Sequence, residues 1–441
     1  MLIDELKNIA RENGVVGAGG AGFPSYAKMT DKADTVILNC VECEPLLKLH
    51  RQLLAANAEE IVQMLDEVRE AMGAKEAVIG IKSEHVGTLR ILEEVTKDYP
   101  KVRICAVRPT YPMGDEVILI YEATGRVIKP GGIPIDENVV VYNTETIYNL
   151  YQAVHSDKPV TDKLISIVGE VERPVTVRVP IGTSVKDAIA LAGKVTVKDP
   201  AYVMGGPMMG KLGTENTIIT KTTNAIIILS EEHKVVMRMN KNLDIERRRA
   251  ASSCCQCKTC TEMCPRHALG HPIEPHRIMR AVANHDITDL SVYTNAAYCS
   301  SCGLCENYSC PQGLAPRSVI AEFKDGLRAA GVRAGKIEPR EVERDRELRK
   351  APVVRLKAKL GLSRYDVPAP LTDLEVAVKT VKIPLSQHIG APAKAVVAQG
   401  DTVKKGQKIA EAAEGLSVAI HASVDGVVKK VNEKEVVIST K

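Results

Sequence analysis

The chain has 441 residues, enough for about three domains with separate cores. It is 45% apolar and 26% charged with a formal charge of +4, and no apolar run reaches the roughly 20 residues of a membrane span. So small a charge, with Lys and Arg scattered among acids, only two Phe and no Trp, argues against a nucleic-acid partner or a base-stacking platform.

Residues 2–13 predict an amphipathic helix carrying acidic residues, unlike a secretory or transit peptide. The helix runs into GVVGAGGAGFPSYAKM, where Gly14, Gly17, Gly19, Gly20 and Gly22 fall within nine residues. Such density lets backbone N–H groups approach a ligand, most often a phosphate. The loop lacks the G-K-[ST] of a Walker A sequence and follows no strand of useful length, so neither familiar nucleotide fingerprint applies, and a glycine-rich turn without ligand stays open.

Strand 35–39 leads straight into CVECEP, and the spacing then predicts a long helix over 47–72. Strand 76–82, a helix from Glu84, the strand VRICAVRP, a turn and helix from YPMGDE, and the strand-to-helix segment VVVYNTETIYNLYQAV complete the alternation. It reads as an α/β domain on a mainly parallel sheet, with ligand-facing residues at the strand ends. Cys105 reads as core, and Cys40 with Cys43 as a pair too small for a metal site.

Residues 164–193 predict two strands, a turn and a helix, and AYVMGGPMMGKLG (201–213) a close-packed loop with Met as gap-filler. Next comes the most informative stretch. Cys254, Cys257, Cys260 and Cys264 form C-x2-C-x2-C-x3-C-P; Cys299, Cys302, Cys305 and Cys310 form C-x2-C-x2-C-x4-C-P. Three cysteines two residues apart wrap three corners of an iron–sulfur cube, and in two-cluster ferredoxins the fourth serves the other cluster. Cys254, Cys257, Cys260 and Cys310 are thus assigned to one [4Fe–4S] cluster, and Cys299, Cys302, Cys305 and Cys264 to the second. Zinc would leave a cysteine over in each run, and disulfides would need an oxidising compartment, whereas eight cluster-spaced cysteines argue for the cytoplasm. Cys255 has no place in the pattern and reads as a buried thiol; His267, His271, His276 and His285 read as surface or capping residues. ERRRAASS before the first run is basic, a solvated face or a dock for an acidic partner.

An amphipathic helix over 316–329 follows, then a charged stretch, 335–362, that reads as solvated helix and connector. From residue 367 the pattern turns to short strands with frequent turns. VAQGDTVKKGQKIAEA resembles a lipoyl- or biotinyl-type barrel-sandwich hybrid. The matching hairpin turn, ASVDG (422–426), has no lysine, which excludes a swinging carrier arm and leaves packing or partner docking.

GAGGAGFPSYAKM, NCVECEP, YPMGDE and YNTET, in that order and ahead of the double cysteine run, resemble the flavin-binding elements of the NADH-oxidising flavoprotein subunit of respiratory complex I. They are closer still to the RnfC-like family, in which a flavin domain is coupled to two [4Fe–4S] clusters. The likeness covers nearly the whole chain. It implies a multidomain α/β fold with an FMN domain, and NADH as substrate, over 1–155. A β-grasp domain with its connecting segment follows over 156–240, a helical two-[4Fe–4S] ferredoxin-like domain over 241–335, a charged connector over 336–366, and an all-β barrel-sandwich hybrid over 367–441. Gly17, Gly19, Gly20 and Gly22 would form the loop over FMN and its phosphate, with Phe23 beside it and Lys28 offering a cation. Asn39 and Glu42 would line the isoalloxazine or ribityl region. Asn143, Thr144 and Thr146 would form a second polar wall near the phosphate, Glu44, Tyr111 and Glu116 would line flavin and dinucleotide, and Gly114 and Asp115 of the same turn would belong to the cofactor site. Lys28 as a solvated lysine and Glu44 as a helix N-terminal carboxylate are the competing readings.

Two departures bear on substrate. Val41 stands where the complex I subunit has an acid, and Phe23 alone remains of the aromatic residues that stack on NADH there. The implied function is an electron-transfer oxidoreductase that takes hydride from NADH on FMN and passes single electrons through the clusters to a redox protein or corrinoid enzyme. The alternative is a relay subunit of an Rnf-type or amino-acid reductase complex that does not oxidise NADH. Peripheral association with such a complex and homo-oligomerisation are both compatible with the sequence.

Overall fold

The computed structural model describes residues 1–440. The first domain is built on a four-stranded parallel sheet in the order Val102–Val107, Glu76–Lys82, Thr35–Cys40, Val139–Asn143. The central strand pairs Thr35 with Glu76 on one side and with Val139 on the other. Helices cover both faces, so Val36, Ile37 and Leu38 are fully buried and the strand reads as one apolar run. Val102–Val107 lies at the sheet edge, which leaves Cys105 half-exposed rather than in the core. The helix expected over 47–72 is two helices, Leu49–Ala56 and Ala58–Ala71, broken where Asn57 takes φ −135° and turns its amide back onto the Leu53 carbonyl. All four strands run the same way, so Asn39, Lys82 and Asn143 gather at one end of the sheet with the glycine-rich loop.

The second domain is a six-stranded sheet in which Ala225–Ser230 runs parallel to Asp162–Gly169, flanked by the hairpins 162–180 and 200–213. The helix Val185–Ile189, capped by the Ser184 hydroxyl, closes one face. Together these make the expected β-grasp.

The charged stretch after residue 335 is less solvated than its composition predicts. Ala351–Pro352 pairs with Thr110–Tyr111 of the first domain, and Leu356 and Leu360 of the helix Val353–Leu360 are buried in a core shared with Tyr111, Val203 and Met208. Its charges lie along the outer face, while the apolar positions at helical spacing pin it down.

The cysteine region is helical. Leu243–Ser253, Pro275–Asn284 and Pro316–Ala329 pack around Ala250, Ile278, Met279, Val319 and Ile320. The C-terminal domain is two small sheets, of four and three strands, around Val381, Ile383, Ile409, Val428 and Val436. Its 422–426 turn is docked rather than projecting: Ser423 is fully buried and donates to the Ile181 carbonyl at 2.6 Å. Among the described residues no helix is long and apolar enough to cross a membrane.

Candidate functional site

The two cysteine loops fold back on themselves through left-handed residues. Gln256 and Lys258 sit at φ 55° and 64°, Ser301 and Gly303 at 60° and 77°, always between the ligand positions. Each reversal turns the next cysteine inward. The extra residue of the second run is absorbed by a π-turn over Cys305–Ser309, closed by the Cys310 N–H on the Cys305 carbonyl at 3.1 Å.

Cys254, Cys257, Cys260 and Cys310 line one cavity, and Cys264, Cys299, Cys302 and Cys305 line a second. The fold therefore groups the eight cysteines in the two quartets that the crossed assignment names. Burial pushes the Cys260, Cys264 and Cys302 thiols up to about 12, and the neighbouring sulfurs add to the effect. Four cysteine sulfurs around each cavity fit a polynuclear metal core, whose cations would make them thiolates. The first cavity lies at the surface, with Cys255 and Cys257 exposed, so Cys255 is not the buried thiol expected. His267 and His271 also depart from expectation. Both are buried, bonded to the Ile273 and Ile128 carbonyls, and hold the loop between the runs.

At the sheet end of the first domain the four sequence motifs are cross-bonded to one another. The Thr146 hydroxyl accepts from the Ala18 N–H at 2.9 Å and donates to the Val16 carbonyl, shaping the glycine-rich loop. Asn39 donates to the Gly114 carbonyl at 2.9 Å, Thr144 donates to the Asn39 carbonyl, and Asn143 caps the following helix at the Glu145 N–H. The Glu42 carboxylate caps the helix Leu49–Ala56 through the His50 and Arg51 N–H groups. Gly19, Gly20, Ala21 and Gly22 donate no hydrogen bond among the described residues. Gly20 has φ 63° and nothing within 4 Å of where a Cβ would be. Four free N–H groups on an open loop are the donor set an anionic phosphate requires, so the loop fits the FMN phosphate. Lys28 is not a solvated lysine. Burial lowers its ammonium pKa against the pull of Glu116, its Nζ donates to the Val141 carbonyl, and it lies 5.9 Å from the Phe23 ring.

Tyr111, Asp115 and Glu44 face the cluster side. The buried Tyr111 hydroxyl donates to the carbonyl of Cys302 at 2.6 Å. Asp115 caps the helix Glu116–Thr124 and takes both its oxygens to Arg266 at 2.9 Å, two residues after Cys264. Its carboxylate is thus committed to joining domains. Glu44, unlike Asp115, caps no helix: it lies under the loop 204–210, accepting from the Met208 N–H at 2.9 Å in space that only a glycine at 206 leaves free. Burial pushes its carboxyl up to about 7, and Oε1 has no partner.

Sequence reasoning passed over several residues of this region. His50 stands between Glu42 and Glu145, 3.8 and 3.7 Å from their oxygens. Lys163 of the β-grasp domain pairs with Glu145 and donates to the Ala18 carbonyl at 3.0 Å. Lys82, buried at a strand end, and Arg266 complete the set. None sits in a local motif. Lys163 alone carried a signal, as a lysine opening the mostly apolar run LISIV.

Four family models match successive parts of the chain. Residues 10–152 match the Nuo51 FMN-binding domain, 164–212 the SLBB domain, 253–315 the 4Fe-4S dicluster domain and 368–441 the RnfC barrel sandwich hybrid domain. The chain is 39% identical over 438 residues to the cobalamin reductase PduS of Salmonella typhimurium, covering 99% of this chain and 96% of that protein. It is 38% identical to the PduS of Citrobacter freundii, over 98% and 96% of the two chains. A component of the proton-translocating ferredoxin:NAD(+) oxidoreductase complex of Clostridium ljungdahlii is 30% identical over 60% of this chain and 57% of its own length. With FMN and two [4Fe–4S] clusters as its cofactors, the chain belongs to the RnfC-like family of flavin and iron–sulfur electron-transfer oxidoreductases.

Proposed function

We propose that this oxidoreductase takes its electrons from NADH and delivers them singly to a redox protein or corrinoid enzyme in the cytoplasm. When bound, FMN supplies the exchange between two-electron and one-electron chemistry, and the clusters carry electrons one at a time. The observation that carries the reading is the seam between flavin motif and second cysteine quartet, where Tyr111 meets Cys302 and Asp115 meets Arg266. The second quartet, which contains the buried Cys305, lies against the flavin domain, and the exposed Cys257 of the first quartet supports an exit to a partner on that side.

In this reading Gly19, Gly20 and Gly22 cradle the phosphate with Lys28 as its counter-charge, while Gly17 gives its N–H to the Phe23 carbonyl at 2.9 Å and shapes the loop instead. Asn39, Glu42, Asn143, Thr144 and Thr146 hold the surrounding turns through the hydrogen bonds above. Phe23 and Glu116 lie beside Lys28, and Gly114 accepts from Asn39, which places all three among the same motifs. The eight cysteines hold the clusters as paired above, on the domain plan 1–155, 156–240, 241–335, 336–366 and 367–441. The name of the PduS relatives supports a corrinoid acceptor.

A relay that does not oxidise NADH is favoured by one feature: Glu44, a residue expected to face the dinucleotide, is closed under the 204–210 loop. Anaerobic stopped-flow bleaching of the flavin band by NADH and by NADPH separates the two. Rapid bleaching by NADH supports the reductase; no bleaching by either nucleotide refutes it.

A further inference from the structure

The glycine-rich loop is gripped from behind by two other domains. Gly22 takes φ 68°, and a Cβ there would stand 2.9 Å from the Gln387 carbonyl, 2.9 Å from the Thr222 methyl and 3.2 Å from the His388 Cα. A Cβ on Gly19 would meet the Asn224 amide at 3.0 Å. Gln387 and His388 belong to the barrel-sandwich domain, Thr222 and Asn224 to the β-grasp domain.

The segments entering and leaving the loop are tied to the C-terminal domain as well. The Arg11 guanidinium donates to the Ala413 carbonyl at 3.1 Å, and the Arg11 carbonyl accepts from the Ala419 N–H at 3.1 Å. Glu12 pairs with Lys408. Tyr26 donates to the Gly415 carbonyl at 3.1 Å and accepts from the Ser417 N–H at 3.3 Å. These bonds bracket the loop on both sides.

Lys221 stands where the three domains meet, 2% exposed, with its Nζ on the Gly14 carbonyl at 2.6 Å and its backbone N–H on Gln387 Oε1. Around it are polar atoms, buried and without a partner, on Asn224, His388 and His421. Burial pushes the Lys221 ammonium down to about 7 and lowers His388 and His421, which also feel its charge. With both histidines neutral, no side-chain anion is bonded to this buried cation among the described residues. A nearby ligand anion would relieve the cost of keeping it charged.

We propose that flavin retention belongs to this three-domain junction: the β-grasp and barrel-sandwich domains hold the 19–22 loop in its phosphate-receiving shape, with Lys221 and Tyr26 as positioning residues. The proposal rests on reading that loop as the FMN phosphate cradle. It gives the barrel-sandwich domain, which lacks a carrier lysine, a task of its own.

The test compares FMN and riboflavin dissociation constants of the full chain by flavin fluorescence quenching, for wild type, Lys221→Met, Tyr26→Phe and Gly20→Val, with iron counted in each. Riboflavin has no phosphate, so general loosening weakens both ligands alike, whereas a clamp on the phosphate loop acts on FMN. Loss of one charge-assisted bond predicts a fall of about tenfold in the FMN-to-riboflavin preference for Lys221→Met, and a smaller fall for Tyr26→Phe, with iron unchanged. A wild-type preference in both variants overturns the clamp while leaving the cradle intact. Wild-type FMN binding by Gly20→Val overturns the cradle itself.

Discussion

Lys163→Met tests how the flavin domain is held to its neighbour. Lys163 and Glu145 are 2% and 0% exposed in their side chains and form an ion pair beneath the glycine-rich loop. Burial alone would raise the Glu145 carboxyl. Lys163 and then His50 outweigh it and hold the group at about 2. On Lys163 burial wins, and the ammonium pKa falls despite its partner. The carboxylate is the firmer member, because it also accepts from the Leu164 N–H at 3.0 Å. Removing the lysine strands that charge, at a cost of about 3–5 kcal/mol. For a domain of this size that is a fall of roughly 6–20 °C in melting temperature, read by calorimetry on the holoprotein. The double variant Glu145→Leu, Lys163→Met should recover most of the loss, since neither charge then remains. Lys163→Met melting within about 2 °C of wild type, or a double variant no better than the single, would refute the stranded-charge account. Glu145 sits lower in the folded state than in the unfolded one. Its stabilisation is therefore complete above the ordinary carboxylate range and lost as pH falls toward about 2, and Glu145→Gln should flatten that acid limb.

Cys310→Ala should remove the same cluster signal, by electron paramagnetic resonance, as Cys254→Ala, and Cys264→Ala the same signal as Cys302→Ala; the opposite pairing would refute the crossed cavities. Gly20→Val introduces a branched side chain at φ 63° in the open mouth of the loop, and should abolish FMN binding while the iron content stays at its wild-type level. Glu44→Gln keeps an acceptor for the Met208 N–H but removes a buried charge. The folded Glu44 carboxyl lies above its unfolded value, so its cost grows as pH rises from about 4.5 through about 7. The variant should therefore gain about 3 kcal/mol over wild type at pH 8 and little at pH 4.5, measured by thermal melting; an equal gain at both would exclude titration of Glu44 as the cause.

Local spacing determined much of this protein. The C-x2-C-x2-C runs carry their own wrapping geometry, because each short interval forces a reversal such as that at Lys258. The strand and helix alternation announces a parallel sheet, and the glycines of residues 14–22 announce a backbone ligand site. These are readable because the residues that act together are neighbours in the chain. Glu44, His50, Lys163 and Arg266 act through partners that lie far away in sequence, and such pairs leave no periodic trace. Tertiary structure alone decided that Asp115 answers to Arg266, that Glu44 is covered by the 204–210 loop, and that Cys255 is exposed. It also placed the last domain against the first helix and loop, where Tyr26 and Lys221 make their bonds. The physical reason is common to all of these. A cofactor's immediate ligands follow from chain stereochemistry, whereas what buries, charges and grips them depends on surfaces that meet only once the domains have folded.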